Sequence, residues 1–93
     1  MNLKKQTMTQ SQFNILPLDK KADLLFTTGN YCGVREYYNY KLNLYSIDDF
    51  FAEVWYNPED NKIEKIEAVN DSKVLDRYID YHLKTKEIKK SEM

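Results

Sequence analysis

The chain has 93 residues, 42% of them apolar, and 14 basic against 15 acidic side chains give a net charge of −1. That length suits one domain with one modest core, and the charge balance removes the electrostatic drive for strong non-specific binding to nucleic acid or to a membrane. A lone cysteine, Cys32, excludes an intramolecular disulfide and the disulfide-stapled class of small secreted domains.

No apolar run approaches the ~20 residues of a membrane span. The opening Met1-Asn2-Leu3-Lys4-Lys5-Gln6 leads into a polar stretch rather than the apolar core of a signal peptide. A cytoplasmic protein without membrane contact is the expectation.

Residues 1–10 carry no apolar period and are expected to form a flexible N-terminal segment. Ser11 can cap a short turn through Phe13 and Ile15 to Leu16, and Pro17 stands where helices like to start. From there Leu18, Ala22, Leu25 and Phe26 recur on one helical face, and Gly29-Asn30 is positioned to end the helix as a left-handed cap. The next forty residues are rich in Tyr, Val, Ile, Phe and Trp, with turn residues every eight to twelve positions. They predict four strands, over 31–37, 40–47, 50–57 and 62–69. The links between them are short, and in Asn57-Pro58-Glu59-Asp60-Asn61 Pro58 presets φ while Asn61 tolerates a positive φ. Neighbouring strands should therefore pair antiparallel as a meander.

Asp71 or Ser72 then caps a second helix, with Val74, Leu75, Tyr78, Ile79, His82 and Leu83 as its apolar stripe. Residues 84–93 read as a charged C-terminal tail, leaving 11–83 as the domain proper. The order helix, four strands, helix predicts an α+β fold: a four-stranded antiparallel sheet with both helices packed on one face.

That arrangement makes the third strand informative. Phe50, Ala52, Val54 and Tyr56 alternate to one side, and Phe51, Glu53 and Trp55 to the other, so both sides are largely apolar. With the helices on the first side, Phe51 and Trp55 lie on an open face, joined by Tyr45 or Tyr37. Such an aromatic patch rimmed by charge marks a partner surface. The competing expectation is that the N-terminal segment or the basic tail folds over it. Glu53 is out of place between Ala52 and Val54, since an unpaired buried carboxylate is costly. Arg35 has the alternation to reach it across the second strand. Lys41 and Lys65 are the other candidate partners.

A helix with Leu24-Leu25 that ends in Gly29, then Arg35, Phe50-Phe51-Ala52-Glu53-Val54-Trp55-Tyr56 and Lys62-Ile63-x-x-Ile66, resembles a set of short uncharacterised single-domain proteins of gut-type Bacteroidota. The resemblance runs from about Phe13 to Leu83. It implies a single domain in a bacterial cytoplasm and transfers no catalytic residue.

Signals for chemistry are sparse. Cys32 and His82 are the sole thiol and imidazole, too few for a zinc site, and the alternation with Val34 predicts that Cys32 is a buried structural residue. The carboxylates Asp48, Asp49, Asp76 and Asp80 follow no calcium-loop pattern, and no phosphate-binding glycine loop or nucleophile elbow is present. No enzyme, cofactor or metal is expected.

Basic residues gather near the ends, at Lys4, Lys5, Lys84, Lys86, Lys89 and Lys90, which with sheet aromatics raises single-stranded nucleic acid as an alternative partner. The preferred expectation is a non-catalytic protein-interaction module, acting as an adaptor, an inhibitor or a self-associating domain. Its contact residues would be Phe51, Trp55, Tyr45, Tyr37, Arg35 and Glu53.

Overall fold

A computed structural model describes residues 8–69 and 73–92, with 85–92 as backbone alone. The elements are α1 (Gln10–Asn14), α2 (Leu18–Thr28), β1 (Asn30–Tyr37), β2 (Tyr40–Ile47), β3 (Phe50–Asn57), β4 (Lys62–Val69) and α3 (Val74–Glu92). The sheet is an antiparallel meander in the order β1-β2-β3-β4. Class, strand number and chain order are those the sequence predicts.

Two-residue links hold the first two hairpins. Tyr38 and Asp48 open these turns with φ of 55° and 53°, and Asn61 turns the third with 54°. Asn and Asp accept this conformation readily, whereas at Tyr38 it costs about 1–2 kcal/mol. In the third turn the Asn57 side chain accepts from the Glu59 N–H at 3.0 Å. Register follows from these turns: Leu44 faces Glu53, and Ala52 faces Ala68. Directly opposed residues share a face, so Leu44, Glu53 and Glu67 lie on one side of the sheet, with Tyr45, Ala52 and Ala68 on the other.

The second of these sides carries the main core. Phe13 of α1 and Leu25 of α2 bury against Ile47, Phe50, Ala52, Val54 and Ile66, with Met8, Leu16, Ala22 and Leu24 around them. Thr9 caps α1 by accepting from the Gln12 N–H while the Gln12 side chain accepts from the Thr9 N–H. The Met8 N–H donates to Asp48 Oδ2 at 2.8 Å. Residues 8–10, expected to be flexible, are thus tied to the domain, while residues 1–7 lie outside the described residues. The two helices are also bonded to the outer strand. Lys21 Nζ donates to the Ile66 carbonyl at 2.8 Å, and the Ala68 N–H donates to Asn14 Oδ1 at 3.0 Å.

Three expectations are corrected here. The two predicted helices do not share one face: α3 lies on the opposite side, where Val74 and Tyr78 pack with Leu44, Phe51 and Val69. The cause is the two-sided hydrophobicity of β3. Phe13 and Leu25 already fill the first side, so Leu44, Phe51 and Val69 need a cover of their own.

Gly29 is not a left-handed cap. Its backbone is extended, with φ of −83° and ψ of 168°, because the chain passes straight from α2 into β1. What demands glycine is space, since a Cβ there would lie 2.7 Å from the Leu25 carbonyl oxygen. Cys32 is exposed rather than structural. A register shift between Tyr31 and Gly33 breaks the alternation on which its burial was predicted. The predicted cap of α3, Asp71 or Ser72, lies outside the described residues, and the α3 backbone remains helical past Lys84 to Glu92.

Candidate interaction surface

The face that carries α3 is built around Glu53. Strand alternation aims its carboxylate away from the main core and under α3, where the residue is only 7% exposed. Two donors converge on one oxygen: Tyr78 Oη donates to Oε2 at 2.8 Å, and Arg35 Nη2 donates to it at 3.3 Å. Arg35 reaches across the intervening β2, as its length permits, and its guanidinium lies 5.2 Å from the Tyr78 ring and 5.6 Å from that of Tyr37. Burial, and then the neighbouring Glu53 charge, push the Tyr78 hydroxyl far above its ordinary pKa. The phenol therefore stays a donor. Arg35 Nε and Trp55 Nε1 are buried with no hydrogen-bond acceptor among the described residues.

Beyond α3 the same face ends in an aromatic cluster. Trp55 is half-buried, with the Tyr37 ring 5.6 Å and the Tyr40 ring 5.2 Å away, both edge-on. Lys65, directly opposite on β4, sets its ammonium 4.3 Å from the indole centroid. Glu64 steadies the cluster by accepting from Tyr40 Oη and from Asn57 Nδ2, each at 2.9 Å. Those bonds, the one from Asn57 first, hold its carboxyl below the usual range.

Along α3 itself, one row of the apolar stripe docks and the next does not. Val74 and Tyr78 are buried, but Leu75, Ile79 and Leu83 are 41%, 54% and 55% exposed. With Cys32, Leu44, Tyr78 and His82 they line an open groove of about 390 Å³. Helix periodicity alone could not say which row would meet the sheet. The signal that one would stay free was the stripe's width: a helix lying on a single surface needs about 100° of apolar face, and this one spends two adjacent rows.

Of the six predicted contact residues, this face brings together Arg35, Tyr37, Glu53 and Trp55. Phe51 shares it but is packed against the core beneath α3. Tyr45 lies on the other side, against Phe26 and Tyr31 at ring separations of 5.6 and 5.5 Å. Tyr40, Tyr78, Leu75, Ile79 and Leu83 belong to the surface and were not in the predicted set.

Cys32 and His82 both line the groove, yet the described residues hold no cluster of three possible metal ligands, and the Cys32 thiol donates to the carbonyl two residues back, Asn30 O, at 3.4 Å. Among the described residues no helix is long and apolar enough to cross a membrane. No family model, curated protein or solved structure matches the chain.

Proposed function

We propose that this chain is a non-catalytic protein-interaction module of the cytoplasm, and that its contact surface is the α3 side of the sheet. The observation that carries this reading is the row Leu75, Ile79 and Leu83, three aliphatic side chains at helical spacing left 41–55% exposed beside an apolar groove. Such a row is left out of the monomer's own core, and burying the half still exposed would gain about 1 kcal/mol per side chain.

Tyr37 and Trp55 supply flanking aromatic area of the kind that anchors interfaces. The buried Arg35–Glu53–Tyr78 cluster sets the floor on which α3 rests. The one unpaired thiol fits a reducing compartment.

Single-stranded nucleic acid is the weaker reading. Lys65 and Arg35 do lie against rings, but they are spent on Trp55 and Glu53, and Glu64 and Glu67 stand beside them.

The test is association of the purified chain with itself or with partners captured from its native lysate. Ile79→Glu should abolish the association while leaving the circular dichroism spectrum and thermal midpoint of the free chain unchanged. Association that survives both Ile79→Glu and Trp55→Ala would place the contact surface elsewhere. Binding to oligonucleotides with a steep salt dependence would favour the nucleic-acid reading instead.

A further inference from the structure

Resting on the reading of the α3 side as an interaction surface, we infer that its partner is a second copy of this chain, docked edge to edge along β1 across a two-fold axis.

The two edges of the sheet are treated differently. At β4, α1 and α2 send side chains to the strand's own backbone, Asn14 to the Ala68 N–H and Lys21 to the Ile66 carbonyl. These bonds occupy two of the groups through which another strand could add, one donor and one acceptor. The bonds that α1 and α2 make to sheet backbone both go to β4, and β1 is the opposite edge.

Beside β1, apolar side chains stand exposed on both faces of the sheet. On the α2 side these are Phe26 and Tyr31, 52% and 58% exposed. On the other side are Leu75, Ile79 and Leu83, with Cys32 on the strand itself. The two sets are level with the same stretch of strand: Tyr31 and Cys32 belong to β1, and a Cβ on Gly33 would lie 3.8 Å from both Tyr78 and His82 of α3.

An occupant of this edge must therefore offer strand backbone in the middle and apolar surface above and below. An extended peptide offers only the first. A second β1 edge offers all three by construction, because a two-fold axis perpendicular to the sheet runs β1 antiparallel to its copy and brings like faces together.

The dimensions meet the minimum that a dimer needs. Eight residues of strand extend ~26 Å, and the sheet with α3 against it is ~20 Å thick at this edge, so the wall is ~500 Å² per partner and ~1,000 Å² in all, the lower bound for a specific interface. Charge does not oppose the pairing. Arg35 and Glu36 give β1 no net charge, and the whole chain carries only −1.

Sedimentation equilibrium of the full chain from micromolar to submillimolar concentration tests this, with amide hydrogen exchange measured on the same samples. A dimer is expected, with exchange in residues 30–37 slowing as concentration rises while exchange in β4 stays constant. Ile79→Glu and Tyr31→Glu, one on each side of the seam, should each raise the dissociation constant at least about tenfold. Both positions are exposed in the monomer, and Leu83→Glu stands in for either variant that fails to fold.

A chain that stays monomeric throughout, or a dimer indifferent to both substitutions, overturns the inference. If the chain is monomeric but Ile79→Glu abolishes capture of a different protein, self-pairing is wrong and the interaction-module reading stands. If neither Ile79→Glu nor Trp55→Ala changes any association, both are wrong.

Discussion

The two faces of this sheet are built by different means. Against α1 and α2 the contact is apolar: Phe13 and Leu25 are fully buried, and the Phe13 and Phe50 rings meet edge-on at 5.6 Å. Against α3 the contact is narrow and partly polar. Among the described side chains of the helix only Val74 and Tyr78 are buried, and the Glu53 carboxylate and the Arg35 guanidinium share the space with the Tyr78 phenol. Apolar burial scales with area and makes no demand on angles, so the first face holds the domain together cheaply. The second needs particular partners for its buried carboxylate, and in exchange it presents a helix with one apolar row left exposed. Buried apolar area concentrates on one face, and the exposed aliphatic row lies on the other.

The sharpest way to break that division is to empty one site on each face. Phe13→Ala removes a fully buried aromatic and should cost about 3–5 kcal/mol. Val74→Ala removes a smaller buried group from the narrow face and should cost about 1–2 kcal/mol. Urea denaturation followed by circular dichroism measures both, and equal losses would show that α3 is as much a part of the core as α1. Between these lies Glu53→Ala, which strands the Arg35 guanidinium, itself only 15% exposed, and should cost about 3 kcal/mol. Replacing all three, as Arg35→Met with Glu53→Leu and Tyr78→Phe, should recover most of that loss, because no buried charge or unpaired hydroxyl is left behind. A triple variant as unstable as Glu53→Ala would mean that the ion pair contributes net stability.

The same division explains what could be read in advance. Each strand begins and ends within a residue of its expected position because two-residue links and period-two alternation leave little freedom. Parity allowed Arg35 to share a face with Glu53 but left Lys41 and Lys65 as alternatives, and the pair itself is read from the structure. Three features escaped such rules because they depend on contacts between elements. The side of the sheet that α3 covers follows from how much room Phe13 and Leu25 leave. The need for glycine at position 29 follows from the approach of the Leu25 and Ser46 carbonyls. The exposure of Cys32 follows from a one-residue slip that alternation cannot foresee. Aromatic richness spread the expected surface over both faces, so Tyr45 was grouped with Trp55 although the register separates them. The free row on α3 was visible as an overwide stripe, yet only the docked Val74 and Tyr78 show which row is spare.

The smallest expected effect is also the most specific to the α3 face. Tyr78→Phe removes the hydroxyl that donates to Glu53 but leaves Arg35 in place, so the loss near neutral pH should be about 1.5 kcal/mol, that of a hydrogen bond to a charged group. Its dependence on pH separates it from a packing change. Burial and the Glu53 carboxylate raise the Tyr78 pKa in the folded state above that of the unfolded chain, so the folded protein holds this proton more tightly. The contribution is complete below the unfolded value of about 10 and declines as pH rises beyond it. Thermal midpoints taken between neutral and strongly alkaline pH should fall more steeply for the wild type than for Tyr78→Phe, with the two curves converging at the alkaline end. Parallel curves would show that the phenol is not held by Glu53, and α3 would then rest on Val74 and the Tyr78 ring alone.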